Sequence, residues 1–260
     1  MTFDEYIQNP MGKKNQVFSQ RGMFRDLYQS KLDKILVREM GKIEYKLYTD
    51  SKNDKYYIHM KVPSEVIQKF YYDVVIEFSS EDEPIAKGIQ SLNTYKVRFF
   101  SNDPSFVFTF CHAFIKNDMF IKELSPRMSN EALKKVAVER NPNEEVGYVK
   151  SIFFAYLIMK QRGLFNKILF QGVPSFNLPF MLNNIMHADK KIALRQQAQK
   201  ELNAKLHNEK QLAQNKDKST QTLTDKAAKR IGKIPIVKKV EAIKTTTNKK
   251  SSTIKTTRKK

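Results

Sequence analysis

The sequence predicts an α+β fold: an antiparallel sheet of about four strands covered by helices, followed by a long polar helix and a disordered basic tail. Three observations lead there. Every Phe and Tyr lies at or before Phe180, so the last eighty residues have no ring to bury. At Gly41 the apolar period changes from near 3.6 to 2, the step from helix to strand. From Lys226 to Lys260 there are thirteen Lys or Arg against one acid, Glu241, a net charge of +12 with no recognisable period. The expected organisation is a globular domain over 1–175, a polar helix or linker over 176–215 and a disordered basic tail over 216–260.

The first element is a short helix to about Gln8, because Thr2-Phe3-Asp4-Glu5 has the spacing of a capping box and Asn9-Pro10 forces a turn after it. A longer helix is expected over Ser19–Met40. Its Phe24, Leu27, Tyr28, Leu32, Ile35 and Leu36 recur at three- and four-residue steps, and Gly41 closes it.

Strands come next. Ile43, Tyr45 and Leu47 alternate with polar residues, Asp50 to Asp54 make a turn, and Tyr56, Ile58, Met60 and Val62 alternate on the way back. Phe70 to Phe78 is a third strand and Thr94 to Phe100 a fourth. The short connections favour antiparallel pairing, with one face of the sheet covered. The acidic loop Ser79–Pro84 between the last two strands reads as a solvated tip.

Over Phe106–Phe114 two patterns compete. Asp103 as a cap and Pro104 at the first helical position favour a helix, while the alternation of Phe106, Phe108 and Phe110 favours a strand. The helix is expected, and either way the rings belong to the core. Ser129 caps a predicted helix to Glu139, and another runs from Gly147 to Arg162 and stops at Gly163. Leu182 to about Asn215, rich in Ala, Gln, Leu, Lys and Glu, forms the long polar helix without a sustained heptad.

Chemistry is sparse. The single cysteine, Cys111, and the four histidines, His59, His112, His187 and His207, show no zinc spacing. All eight glycines are isolated, so neither a P-loop nor a dinucleotide fingerprint is present. The strongest enzyme candidate is a divalent-metal nuclease that assembles Glu44-Tyr45-Lys46 and the strand carboxylates Asp73 and Glu77 around a metal. The spacing is poor, Glu44 and Lys46 read more simply as the solvent face of an amphipathic strand, and the expectation is a non-enzymatic protein with no cofactor. The acidic N-terminus lacks the basic region of a secretory leader, and the longest apolar run, Ile152–Met159, is far below the ~18 residues of a membrane span. A soluble protein without a membrane partner is expected.

The basic C-terminus carries the functional expectation. Its cations are Lys226, Lys229, Arg230, Lys233, Lys238, Lys239, Lys244, Lys249, Lys250, Lys255, Arg258, Lys259 and Lys260. Such a segment neutralises phosphates and releases their counterions, which gives affinity for nucleic acid, DNA being the favoured form, without sequence choice. The plainer alternative is a solubilising tail with no fixed partner. Residues 1–189 carry a net charge of only +4, so the body itself is nearly balanced.

Four stretches resemble proteins encoded by tailed bacteriophages of low-GC bacteria: MTFDEYIQNPMGKKN (1–15), VPSEVIQKFYYDVV (62–75), FFSNDPSFVFTF (99–110) and GYVKSIFFAYLIMKQRGLF (147–165). The absence of tryptophan and the Lys/Asn/Ile bias also suit an AT-rich genome. The resemblance implies a phage protein of the host cytoplasm or the virion, whose domain docks on a phage protein or self-associates. It carries no catalytic residue with it. Its competing implication is an accessory factor for replication or transcription that binds DNA without being packaged.

Overall fold

The computed structural model describes residues 1–8, 43–80, 91–139, 141, 144–147 and 149–231, with side chains through 213. The helix expected over Ser19–Met40 and most of the acidic loop lie outside the described residues. The chain divides into one unit over Met1–Lys205 and a second over Leu206–Lys260.

The first unit is built on four strands, β1 (Tyr45–Asp50), β2 (Lys55–Pro63), β3 (Tyr71–Ser79) and β4 (Lys96–Ser101). They form one antiparallel sheet in sequence order, with Lys61 opposite Asp73 and Glu77 opposite both Tyr57 and Arg98. Alternation therefore located all four strands to within three residues, the largest miss being the end of β1, which runs on to Asp50 where the turn was expected to begin. β3 is central and buried on both faces, which departs from the expectation of a single covered face.

The first face carries Val74, Ile76 and Phe78 of β3 and Phe99 of β4. Helix α1 (Phe3–Gln8) covers it, held by the predicted reciprocal cap: Glu5 N–H donates to Thr2 Oγ1 at 3.2 Å and Thr2 N–H donates to Glu5 Oε2 at 2.8 Å. The Phe3 ring, fully buried, meets Phe99 at 5.0 Å and Tyr156 at 5.1 Å in edge-on contacts. Tyr156 belongs to a later helix over Lys150–Gln161 on the same face. That helix ends in a Schellman motif, with Leu164 N–H donating to Met159 O at 2.9 Å around Gly163 at φ +65°.

After β4, Asp103 Oδ1 accepts from Ser105 N–H at 2.7 Å. The chain then makes a turn of π-helix over Phe106–Phe110 that runs into α2 (Cys111–Lys116). Phe106, Phe110 and Phe114 are fully buried while Phe108 is half exposed. Steps of four put three rings on one helical face and leave the alternating one outside, so the helix prevails over the strand. Cys111 is buried, which pushes its thiol up to about 12.

The helix expected from Ser129 to Glu139 is shorter: α3 spans Asn130–Lys134, and the Ser129 side chain makes no cap hydrogen bond. The helix over Lys150–Gln161 is α4. Beyond Gly172, α5 (Leu178–Asn184) and α6 (Ala188–Ile231) are separate helices, where the sequence suggested one continuous helix from Leu182 to Asn215. Asn102 and Asp73 take the backbone polar groups of Met186 at the break. At its other end α6 passes the expected boundary at Asn215. The chain from 216 to 231 contains Ala, Leu, Lys and Gln and no Gly or Pro before Gly232, so nothing local stops the helix.

The second face of the sheet is covered by a 3₁₀ turn over Lys122–Arg127, by α5 and by the first turns of α6, where Met181, Ile185, Ala188 and Ile192 are buried. No helix among the described residues is long and apolar enough to cross a membrane.

Candidate functional site

The second face of β3 carries two buried carboxylates, Asp73 and Glu77, each facing its own cations. Both are at most 1% exposed. Alternation puts them on one side of the strand, and a buried charge persists only where paired and hydrogen-bonded.

Asp73 is fully satisfied. His59 Nε2 lies 2.9 Å from its Oδ1, Lys61 Nζ donates to the same oxygen, and Asn102 Nδ2 donates to Oδ2 at 2.8 Å. The backbone N–H of Asp73 in turn donates to Asn102 Oδ1 at 2.8 Å. Burial works against the charged form, but the bonds from His59 and Lys61 outweigh it and hold the carboxyl at about 2. The remaining contact is to the chain ahead of α6: Met186 N–H donates to Oδ2 at 3.4 Å, and Asn102 Nδ2 donates to Met186 O at 3.1 Å. Arg195, two turns into α6, adds a bond from Nε to Tyr72 Oη at 2.9 Å. The cluster thus clamps the start of α6 to the sheet.

Glu77 has the opposite balance. Arg98 Nη1 donates to it at 3.1 Å and Lys55 Nζ stands at 3.7 Å. Burial nonetheless prevails and raises its pKa. Tyr57, opposite it on β2, has its phenol pushed up by burial and by the Glu77 charge, and its ring stacks on Phe176 at 4.0 Å.

The metal-dependent nuclease weighed from the sequence would draw on these two carboxylates. They sit four residues apart, about 13 Å at ~3.3 Å per residue, and each is engaged by different cations. Among the described residues no group of three or more His, Cys, Asp or Glu is placed to hold a metal ion. Glu44 and Lys46, read as the solvent side of β1, are exposed.

Beside the Asp73 cluster a groove of about 730 Å³ runs along α6, lined by Glu44, Lys61, Lys69, Phe70, Lys191 and Glu201. Lys191 Nζ sits 4.4 Å from the centre of the Phe70 ring. Its pKa is lowered by burial and by Lys61, against the pull of Asp73. With charges of both signs on its walls, the groove is not a cationic track.

Of the thirteen basic residues singled out, Lys226, Lys229 and Arg230 fall in the last turns of α6. The other ten, Lys233, Lys238, Lys239, Lys244, Lys249, Lys250, Lys255, Arg258, Lys259 and Lys260, lie outside the described residues. The clamp around Asp73 was not foreseen. Its only trace in the sequence is a basic residue, Lys61, on one strand and an acid, Asp73, on the next, at positions that the turn brings into register.

No family model matches this chain, and no curated protein or solved structure matches it significantly.

Proposed function

We propose that this chain is a non-enzymatic nucleic-acid tether of a phage particle. Its basic C-terminal segment binds nucleic acid without sequence choice, and the Met1–Lys205 body docks on a protein partner. The observation that carries the reading is the concentration of charge: thirteen cations against one acid over Lys226–Lys260, against a net charge of only +4 over residues 1–189. A segment of that kind binds through counterion release, which asks for phosphate density and no particular base. The body contributes a different property: Asp73 and Asn102 hold the chain at Met186, just ahead of α6.

The test compares a random-sequence DNA duplex incubated with the full chain and with a chain ending at Asn215. Loss of binding with the segment supports the tether. Equal binding by the two overturns it. Detection of the protein in purified particles then separates a packaged tether from an accessory factor that acts outside the particle.

A further inference from the structure

β1 is an outer strand of the sheet, and part of its outer edge has no partner strand among the described residues. Lys61 N–H donates to Glu44 O at 2.9 Å, and the antiparallel register carries this kind of pairing on to Lys46, Tyr48 and Asp50. The N–H and C=O of Tyr45, Leu47 and Thr49 therefore point away from β2. Thr49 uses both of its groups. Its N–H donates to Pro174 O at 3.2 Å and its C=O accepts from Phe176 N–H at 2.8 Å, a parallel bridge to Ser175.

The next rung of that ladder would join Leu47 to residues 172 and 174, and the chain cannot form it. Pro174 has no N–H to donate, and Gly172, at φ +73°, carries the backbone off the strand path. The outward groups of Tyr45 and Leu47 have no backbone partner among the described residues. Two residues before Tyr45, Arg162 Nη1 donates to Ile43 O at 3.3 Å and closes the edge.

Beside this open stretch lies a groove of about 630 Å³ lined by Leu47, Tyr48, Val173, Pro174, Asn177 and Phe180. The Phe180 ring is half exposed and meets Tyr48 edge-on at 6.4 Å. Tyr48 Oη is buried and has no hydrogen-bond partner among the described residues, a cost to the free protein.

We propose that the Tyr45–Leu47 edge docks an extended terminal segment of a partner protein by strand addition, with one apolar side chain seated against Val173 and Phe180. The inference rests on the reading that the body docks on a protein, and it names the surface. Strand addition follows from the free groups: only a chain in β conformation offers carbonyls and amides at the pitch of Tyr45 and Leu47. A terminal segment follows from Thr49, where Pro174–Phe176 already occupies the edge. A second copy of β1, paired antiparallel about Lys46, would bring its Ile43 opposite Thr49 and collide there. A segment that ends at that point fits.

The test uses the full chain and peptides enriched on it from a random-peptide display library, read by residue-resolved amide hydrogen exchange. In the free protein the Tyr45 and Leu47 amides exchange fast while those of Lys46 and Tyr48 are protected. The best-enriched peptide protects Tyr45 and Leu47. Phe180→Asp, at a half-exposed position and with an unchanged cooperative melt as its folding control, weakens that peptide by at least about tenfold, as loss of an aromatic anchor does. Slow exchange at Tyr45 and Leu47 before any peptide is added overturns the proposal. So does a peptide that binds while protecting amides elsewhere, which leaves protein docking standing and removes only this edge. A library without enrichment overturns the edge and the docking half of the function together.

Discussion

The carboxylate of Asp73 accepts a hydrogen bond from the backbone N–H of Met186 at 3.4 Å, across 113 residues of sequence. Asn102 closes the same link from the other side, bonding both the carboxylate and Met186 O. The sheet and the start of α6 are thus joined through one buried charge. Removing it leaves His59 and Lys61 facing each other without their anion. Asp73→Ala is expected to destabilise the body by about 3–5 kcal/mol, the usual result of taking one partner from a buried pair. Urea unfolding with an unchanged slope and a lowered midpoint is the expected record, and an unaltered midpoint contradicts the clamp.

The two carboxylates of β3 have opposite pH signatures. Asp73 has a folded pKa lowered from 3.8 to about 2, so the stability it contributes is fully present above about pH 4 and is lost as the pH falls toward 2. Wild type should lose stability over that window, and Asp73→Asn should lose less. Glu77 has a raised folded pKa, so its contribution is greatest in acid and falls as the pH rises through that value. Glu77→Gln is therefore expected to hold or raise stability at pH 7. Thermal melts of both variants across the acid range check the signs together.

A second buried bond ties α1 to the chain before α4. Tyr6 Oη donates to Gly147 O at 2.9 Å and accepts from Val149 N–H at 3.3 Å, in a fully buried setting. Tyr6→Phe leaves a backbone donor and acceptor unsatisfied and should cost about 1–3 kcal/mol. A loss under about 0.5 kcal/mol, the size of an ordinary surface change, would contradict that assignment.

Much of this fold was legible in local pattern. The capping box of α1, the four alternating strands and the stop at Gly163 each depend on residues within a few positions of one another. The Asp73 cluster was not, because its members come from β2, from β3, from the start of the loop after β4 and from the chain ahead of α6. Seen singly, His59 and Lys61 fit the polar side of an amphipathic strand. They are drawn inward only because α5 and α6 fold over that side, and the break that lets them do so is held by Asn102 and Asp73 rather than by Gly or Pro. The short α3 is a similar case, its Ser129 hydroxyl making no cap bond. The basic residues proposed to bind nucleic acid were legible as composition alone.

Removal of the basic segment should leave the body intact. Its core rings all precede Phe180 or lie beside it, and the compact unit ends at Lys205. A chain ending at Asn215 is expected to melt cooperatively, within about 1 kcal/mol of the full chain, because the deleted residues lie outside the unit that holds the core. Loss of the cooperative transition would contradict the division.

The most direct measurement is a salt titration of binding to a random-sequence duplex, run in parallel on the full chain and on the chain ending at Asn215. The tether predicts that only the full chain binds. Its affinity should fall steeply with salt, by roughly 10³ to 10⁵ between 50 and 200 mM if about six to ten phosphates are neutralised. Equal affinities with equal slopes would contradict it and move any nucleic-acid binding onto the body.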